Sequence, residues 1–156
     1  MTANQVRITL CRWIATFLGA GYSPKLPGTV GTAAAIPLFL LIRGLSLLWY
    51  LAVVCAISLA GVYTSSEMEK EWGKDPSRVV IDEVAGFLLA LVSRPRKWQI
   101  ILYAFVIFRA LDIFKPPPVG TIDKKVEGGL GIMGDDLVAG GITALILGVV
   151  KFLVKG

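Results

Sequence analysis

Histidine is absent from all 156 residues of this chain. That absence removes Ser-His and Cys-His nucleophile pairs, phosphohistidine intermediates and the imidazole ligands that zinc and iron sites usually need. Cysteine occurs only as Cys11 and Cys55, both in apolar surroundings and without a CxxC spacing. Neither a disulfide framework nor a zinc site has support, and thiols buried in such surroundings stay protonated and unreactive. Charge is scarce too. Asp, Glu, Lys and Arg make up 17% of the chain against 55% apolar residues, with a mean hydropathy of +0.72, whereas a soluble domain carries about 25% charge. Much of the outer surface must therefore face something other than water, and the length leaves room for one domain, 1–156, embedded in a membrane. Any chemistry must rest on carboxylates, Lys, Arg and hydroxyls.

The net charge of +5 says less than its distribution. All 11 carboxylates lie between Glu67 and Asp136, so the first 66 and last 20 residues contain none. The basic residues are scattered among long apolar stretches rather than gathered with aromatics on a solvated face, which argues against a nucleic-acid partner.

Residues 1–18 place Val6, Leu10, Trp13, Ile14, Phe17 and Leu18 on one helical stripe and Gln5, Thr9, Arg12 and Thr16 opposite. The spacing predicts a helix lying in the membrane interface; the rival, a cleaved signal peptide, is disfavoured by Arg12 within its apolar region. A loop is expected over GAGYSPKLPGTVGT, residues 19–32, where four glycines and two prolines fall within 14 positions. Ala33–Ile42 and Leu45–Tyr63 are apolar and read as a helical hairpin turned at Arg43-Gly44, with Pro37 as a point of kinking. The second arm has 19 uncharged residues, close to the length of about 20 that crosses a bilayer core.

A polar connection is expected over residues 64–78. Val79–Ser93 and Trp98–Ile113 form a second hairpin with its tip at Ser93-Arg94-Pro95-Arg96-Lys97, and Lys115-Pro116-Pro117-Pro118 stops its second arm. A Gly-rich connection over 128–134 leads to Asp135-Asp136 and a last apolar run, Leu137–Val154. The expected architecture is thus an all-α integral membrane bundle, with an interfacial N-terminal helix, two hairpins and a final span. Ten basic residues (Arg7, Arg12, Lys25, Lys70, Lys74, Arg78, Arg109, Lys115, Lys124 and Lys125) fall on one side and six (Arg43, Arg94, Arg96, Lys97, Lys151 and Lys155) on the other. The excess marks the cytoplasmic face, and all the carboxylates fall on it.

Three apolar helices deliver acids to that face: Asp82 and Glu83 on one, Arg109 with Asp112 on another, and Asp135 with Asp136 on a third. A charge at membrane depth costs about 2.5–3.5 kcal/mol on insertion scales, so a set of this kind must be offset. Adjacent carboxylates sharing a pocket take up protons or bind a cation, and an all-oxygen site favours magnesium, manganese or calcium. Each element also has a plainer reading. Asp135 or Asp136 can cap a helix starting at Leu137, Arg109 and Asp112 can be a surface pair at i,i+3, and Asp82-Glu83 can open their own helix. Lys124 and Lys125 read most simply as a solvated or headgroup-facing pair. The segment SPKLPGTVGT, 23–32, could cradle phosphate through its amides and the hydroxyls of Ser23, Thr29 and Thr32, with Lys25 beside them, or could simply be a tight turn; it is not a Walker A loop.

SPKLPGTVGT (23–32), IDEVAG (81–86), FRALDIFKPPP (108–118) and GGLGIMGDDLVAG (128–140), in this order over nearly the whole chain, resemble the bacterial phosphatidylglycerophosphatase A family. The Pro-rich piece departs from the pattern at Pro117, where an aromatic is expected. The resemblance implies an integral membrane enzyme of the bacterial inner membrane, with its site facing the cytoplasm, that uses Mg²⁺ to hydrolyse phosphatidylglycerophosphate to phosphatidylglycerol and phosphate. It implies roles for Asp82, Glu83, Arg109, Asp112, Lys115, Asp135 and Asp136, and Asp123 falls at a further acidic position of the family. The expected division of labour is Mg²⁺ on Asp82, Glu83, Asp135 and Asp136. Arg109 and Lys115 would meet phosphoryl and leaving-group charge, and Asp112 or Asp123 would orient water or complete the metal shell. Direct attack by water and a covalent aspartyl-phosphate both remain open. Two other classes fit part of the pattern: a small divalent-cation carrier or channel using the same carboxylates, and a phosphotransferase, for which the paired-Asp spacing of the CDP-alcohol enzymes is missing.

Overall fold

A computed structural model describes residues 2–155; within them the chain forms seven α-helices and one short 3₁₀ turn, without a strand. The first helix, α1 (Ala3–Ala15), opens with a capping box in which Thr2 and Gln5 satisfy each other's backbone amides. It buries Cys11 and Ala15 while Leu10 and Trp13 stay exposed. A 3₁₀ turn, Ala20–Tyr22, then leads to α2 (Pro27–Ile42).

The loop expected over 19–32 is therefore too long, since residues 27–32 already belong to α2. Proline at the first helical position forfeits only an amide that has no partner there, and its fixed φ suits the helix. Gly28 and Gly31 are small because neighbours press on them: a Cβ on Gly31 would lie 2.6 Å from Val80 Cβ. Pro37 sits inside α2 without ending it.

Ser46 caps α3 (Leu47–Trp72), a helix of 26 residues. The polar stretch from Thr64 to Trp72, expected as connection, continues this helix. Two sets of contacts hold it there: Lys70 pairs with Glu67 at 2.7 Å one turn away, and α1 docks on the same face. Arg7 reaches Glu67 at 2.5 Å and the Tyr63 hydroxyl at 3.0 Å, and Arg12 pairs with Glu71. Gly73, at φ 93°, ends the helix, so only 73–80 is connection.

The second hairpin forms as expected from α4 (Ile81–Ala90) and α5 (Trp98–Phe114). Its first arm is short, with 10 residues covering about 15 Å. This helix is the centre of the fold. Val84, Ala85, Phe87 and Leu88 are fully buried, and α4 packs against α2, α3 and α5 as well as the last helix. Phe87 meets Phe105 and Phe108 of α5 edge-on or tilted, with centroids 5.8 and 5.9 Å away. Tyr50 donates its hydroxyl to the Leu88 carbonyl at 2.6 Å.

Beyond the prolines comes α6 (Val119–Lys125), which the sequence reading did not anticipate, and then α7 (Gly128–Lys155). The expected Gly-rich connection is thus the first two turns of α7, and Asp135-Asp136 lie inside the helix rather than at its cap. Glycine is required there by contact. A Cβ on Gly129 would strike the Val62 carbonyl, and one on Gly131 the Val126 carbonyl. Farther along, Gly140 meets the backbone of Gly86, which brings α4 and α7 into direct contact.

The outward faces are apolar: Leu41, Leu48, Leu145 and Phe152 are each at least 70% exposed. By length and composition, α3 and the Gly128–Leu153 part of α7 could each cross a membrane.

Candidate active site

The helix packing gathers the charged residues at one end. Nine of the 11 carboxylates line a single cavity of about 700 Å³ between the N-terminal ends of α2, α4 and α7 and the C-terminal end of α5. The other two, Glu67 and Glu71, hold α1. Asp82 and Glu83 occupy the first turn of α4. Asp136 reaches them because a glycine lies at each side of the crossing: a Cβ on Gly86 would sit 2.5 Å from the Asp136 carbonyl oxygen.

Asp82, Glu83 and Asp136 each bring one carboxylate oxygen to within 4.8 Å of the others. Asp82 Oδ1, Glu83 Oε2 and Asp136 Oδ1 are buried and have no hydrogen-bond partner. A buried acceptor without a donor is costly, and three negative groups at this spacing repel. Hard oxygen donors in this arrangement suit a divalent cation of the magnesium, manganese or calcium type, so the donor set fits the metal that the sequence implied.

Asp135 is different. Adjacent residues on a helix point about 100° apart, and Asp135 faces away from the trio toward Lys115, whose Nζ lies 2.7 Å from Oδ2. The same Nζ is 2.5 Å from Asp123 Oδ1 on α6. Of the four residues expected to hold metal, three converge and the fourth holds a lysine. Partial burial by itself lowers the Lys115 pKa, but the ion pairs with Asp123 and Asp135 outweigh it and hold the ammonium well above the usual lysine range. Lys115 ends α5 at φ 44°, its N–H donating to the Leu111 carbonyl, in a left-handed conformation that costs a non-glycine residue about 1–3 kcal/mol.

Arg109 occupies the space between the two groups. Its Nη1 pairs with Asp112 on the same helix and lies 3.7 Å from Glu83 Oε1, while Nε is buried without a partner. The plain reading of Arg109 and Asp112 as an i,i+3 pair is thus correct, but the pair is largely buried in the cavity wall rather than on the surface.

The segment 23–32 contributes backbone rather than hydroxyls. Leu26, Pro27 and Gly28 line the cavity, but Ser23, Lys25, Thr29 and Thr32 do not. The Ser23 hydroxyl donates to the Lys25 carbonyl at 2.9 Å, and the buried Thr32 hydroxyl to the Gly28 carbonyl at 2.8 Å. Gly28 is the residue that sequence reasoning missed. Any side chain there would collide with the Glu83 carboxylate, and its position would lie 3.1 Å from Arg109 Nη1. The signal was present as a glycine in the first turn of a helix beginning with proline.

The family model described as Phosphatidylglycerophosphatase A matches residues 13–151. The chain belongs to the phosphatidylglycerophosphatase A family. Phosphatidylglycerophosphatase A of Escherichia coli K12 is 43% identical over 136 residues, covering 86% of this chain and 79% of the relative. A protein of Bacteroides thetaiotaomicron, provisionally named a phosphatidylinositol-3-phosphatase, is 37% identical over 149 residues, or 90% of this chain and 93% of its own. Phosphatidylglycerophosphatase A of Haemophilus influenzae Rd is 32% identical over 142 residues, covering 89% and 87%. No solved structure gives a significant match. All three relatives carry names of lipid phosphatases.

Proposed function

We propose that this protein is a membrane-embedded, Mg²⁺-dependent phosphomonoesterase that converts phosphatidylglycerophosphate to phosphatidylglycerol and phosphate, at the cytoplasmic face of the bacterial inner membrane. The observation that carries the reading is the trio of unpartnered carboxylate oxygens from Asp82, Glu83 and Asp136 beside the guanidinium of Arg109. A phosphate monoester brings nearly two negative charges, which would repel the trio, so a cation on those oxygens is needed for the substrate to enter. Bound there, Mg²⁺ would withdraw charge from the phosphoryl group and acidify a water.

The protein's own groups do the rest. Arg109, in the cavity wall, presents a planar donor fork suited to two phosphoryl oxygens. Lys115 stays protonated and supplies positive charge where the glyceryl oxygen departs. In hydrolysis the bond from phosphorus to that oxygen breaks and a bond to the water oxygen forms. A water proton passes to a carboxylate, for which Asp112 and Asp123 are the candidates within the cavity, and the departing oxygen gains a proton in turn. The apolar exposed faces leave the acyl chains in the bilayer while the headgroup enters the cavity. The excess of basic residues at this end supports the cytoplasmic orientation.

The cation-carrier reading gains nothing from the geometry, because Arg109 and Lys115 stand in the same cavity and would oppose the passage of a cation. Phosphate release from phosphatidylglycerophosphate by purified protein in detergent, with Mg²⁺ and with EDTA, tests the proposal, using phosphatidylinositol 3-phosphate as comparator. Release with Mg²⁺ that stops in EDTA is expected. No release under either condition would refute it, and preference for the inositol lipid would correct the substrate.

A further inference from the structure

At the end of the bundle remote from the carboxylates, the turns of the two hairpins face each other across a second cavity of about 340 Å³. It is lined by Arg43, Gly44, Ser93, Arg94 and Arg96. Arg94 ties the two turns together by donating to the Leu45 carbonyl, but its Nε is buried and has no partner. No carboxylate is available to these arginines, because all 11 are engaged elsewhere: nine line the first cavity and two hold α1. The C-termini of α2 and α4 end beside the turns and supply about half a negative charge each. That leaves roughly two of the three positive charges without a counter-charge. Basic residues are disfavoured on the non-cytoplasmic side, so three of them around a cavity there call for an anion. The depth is set by Trp49 and Trp98, which stand exposed at the first turns of α3 and α5 beside the same two hairpin turns. Exposed tryptophans mark the headgroup level of a bilayer.

We propose that this cavity binds the phosphate group of an anionic phospholipid in the leaflet opposite the active site. Guanidinium groups recognise phosphate oxygens in pairs, basic pockets between membrane helices take lipid headgroups, and the volume suits a headgroup rather than a lone ion. The inference rests on the membrane placement proposed above but not on the phosphatase reading, which is tested by phosphate release rather than by lipid retention.

The test is native mass spectrometry of the full chain in detergent, titrated with phosphatidylglycerol or with phosphatidylcholine. The wild type is expected to retain phosphatidylglycerol in preference to phosphatidylcholine. Arg43→Gln/Arg96→Gln should lose about tenfold or more of that retention, and Arg43→Lys/Arg96→Lys should recover most of it. Arg94 is kept because it joins the turns, and circular dichroism checks that the variants stay helical. Lys70→Gln, which removes an exposed basic charge at the other end, should retain the lipid like the wild type. Equal retention by the wild type and the Gln variant, or no preference between the lipids, would overturn the proposal. Displacement of the lipid by millimolar inorganic phosphate would overturn the lipid assignment in favour of a free anion.

Discussion

Replacing Asp136 by Asn separates a ligand role from a packing role, because the two predict opposite changes in stability. The side chain is nearly buried, at 2% exposure, and Asn matches its shape while removing its charge. In EDTA the wild-type trio holds three carboxylate oxygens within 4.8 Å of one another. Two full charges at that separation repel by about 3 kcal/mol at an effective dielectric constant of 20. Relaxation, water and proton uptake by the crowded acids reduce the figure, so the variant should be more stable than the wild type by about 1–2 kcal/mol without metal, a rise of several degrees in melting midpoint. With Mg²⁺ the order should reverse. A ligand at 100 times its dissociation constant stabilises by about 2.7 kcal/mol, and the variant should lose most of that gain together with turnover. Thermal melts in detergent with EDTA and across a Mg²⁺ series measure both effects. The reasoning fails if Asp136→Asn melts below the wild type in EDTA, if its midpoint rises with Mg²⁺ as the wild type's does, or if it keeps near-normal phosphate release.

Lys115→Met should lower turnover by about 10²-fold or more and Lys115→Arg by less, as read from initial rates on phosphatidylglycerophosphate; equal losses would mean that charge is not what Lys115 supplies. Gly140→Ala presses a methyl onto the Gly86 backbone and should destabilise by about 1–3 kcal/mol or more, whereas Gly141→Ala, which meets nothing within 4 Å, should stabilise by up to about 1 kcal/mol through helix propensity. Melting midpoints of the two variants side by side check this. Thr32→Val should keep KM for the lipid within about twofold, since the hydroxyl serves the Gly28 carbonyl and an α-helix tolerates the loss of a back-bond of this kind; a large rise in KM would restore Thr32 to the phosphate site.

The second hairpin was legible because its apolar run is interrupted at Ser93–Lys97, whereas the first only turns at Arg43-Gly44: its arms, α2 and α3, stand apart and pack on α4 instead of along each other. What escaped was helix built from residues that usually signal loop. Thr64–Trp72 is polar, and it stays helical through contacts that one sequence does not show: the docking of Arg7 and Arg12, the Lys70–Glu67 pair and packing against α7. Residues 128–134 are rich in glycine, which one sequence cannot tell from a flexible connection; the reason for the glycines is the nearness of the Val62 and Val126 carbonyls. The site was legible as a list of charges but not as a partition among them. Asp135 and Asp136 are indistinguishable in sequence, and it is the phase of α7 that sends one to a lysine and the other to the trio.

The shortness of α4 reaches beyond packing. Its 10 residues cover about half of a 30 Å hydrocarbon layer, while α3, with 26 residues, continues well past the carboxylates. Under the proposed orientation, the reacting phosphorus must sink below the plane of neighbouring headgroups, into a basin whose floor is this truncated helix. Bilayer thickness then becomes a kinetic variable: a thinner sheet lowers its headgroups toward the basin, and a thicker one lifts them away.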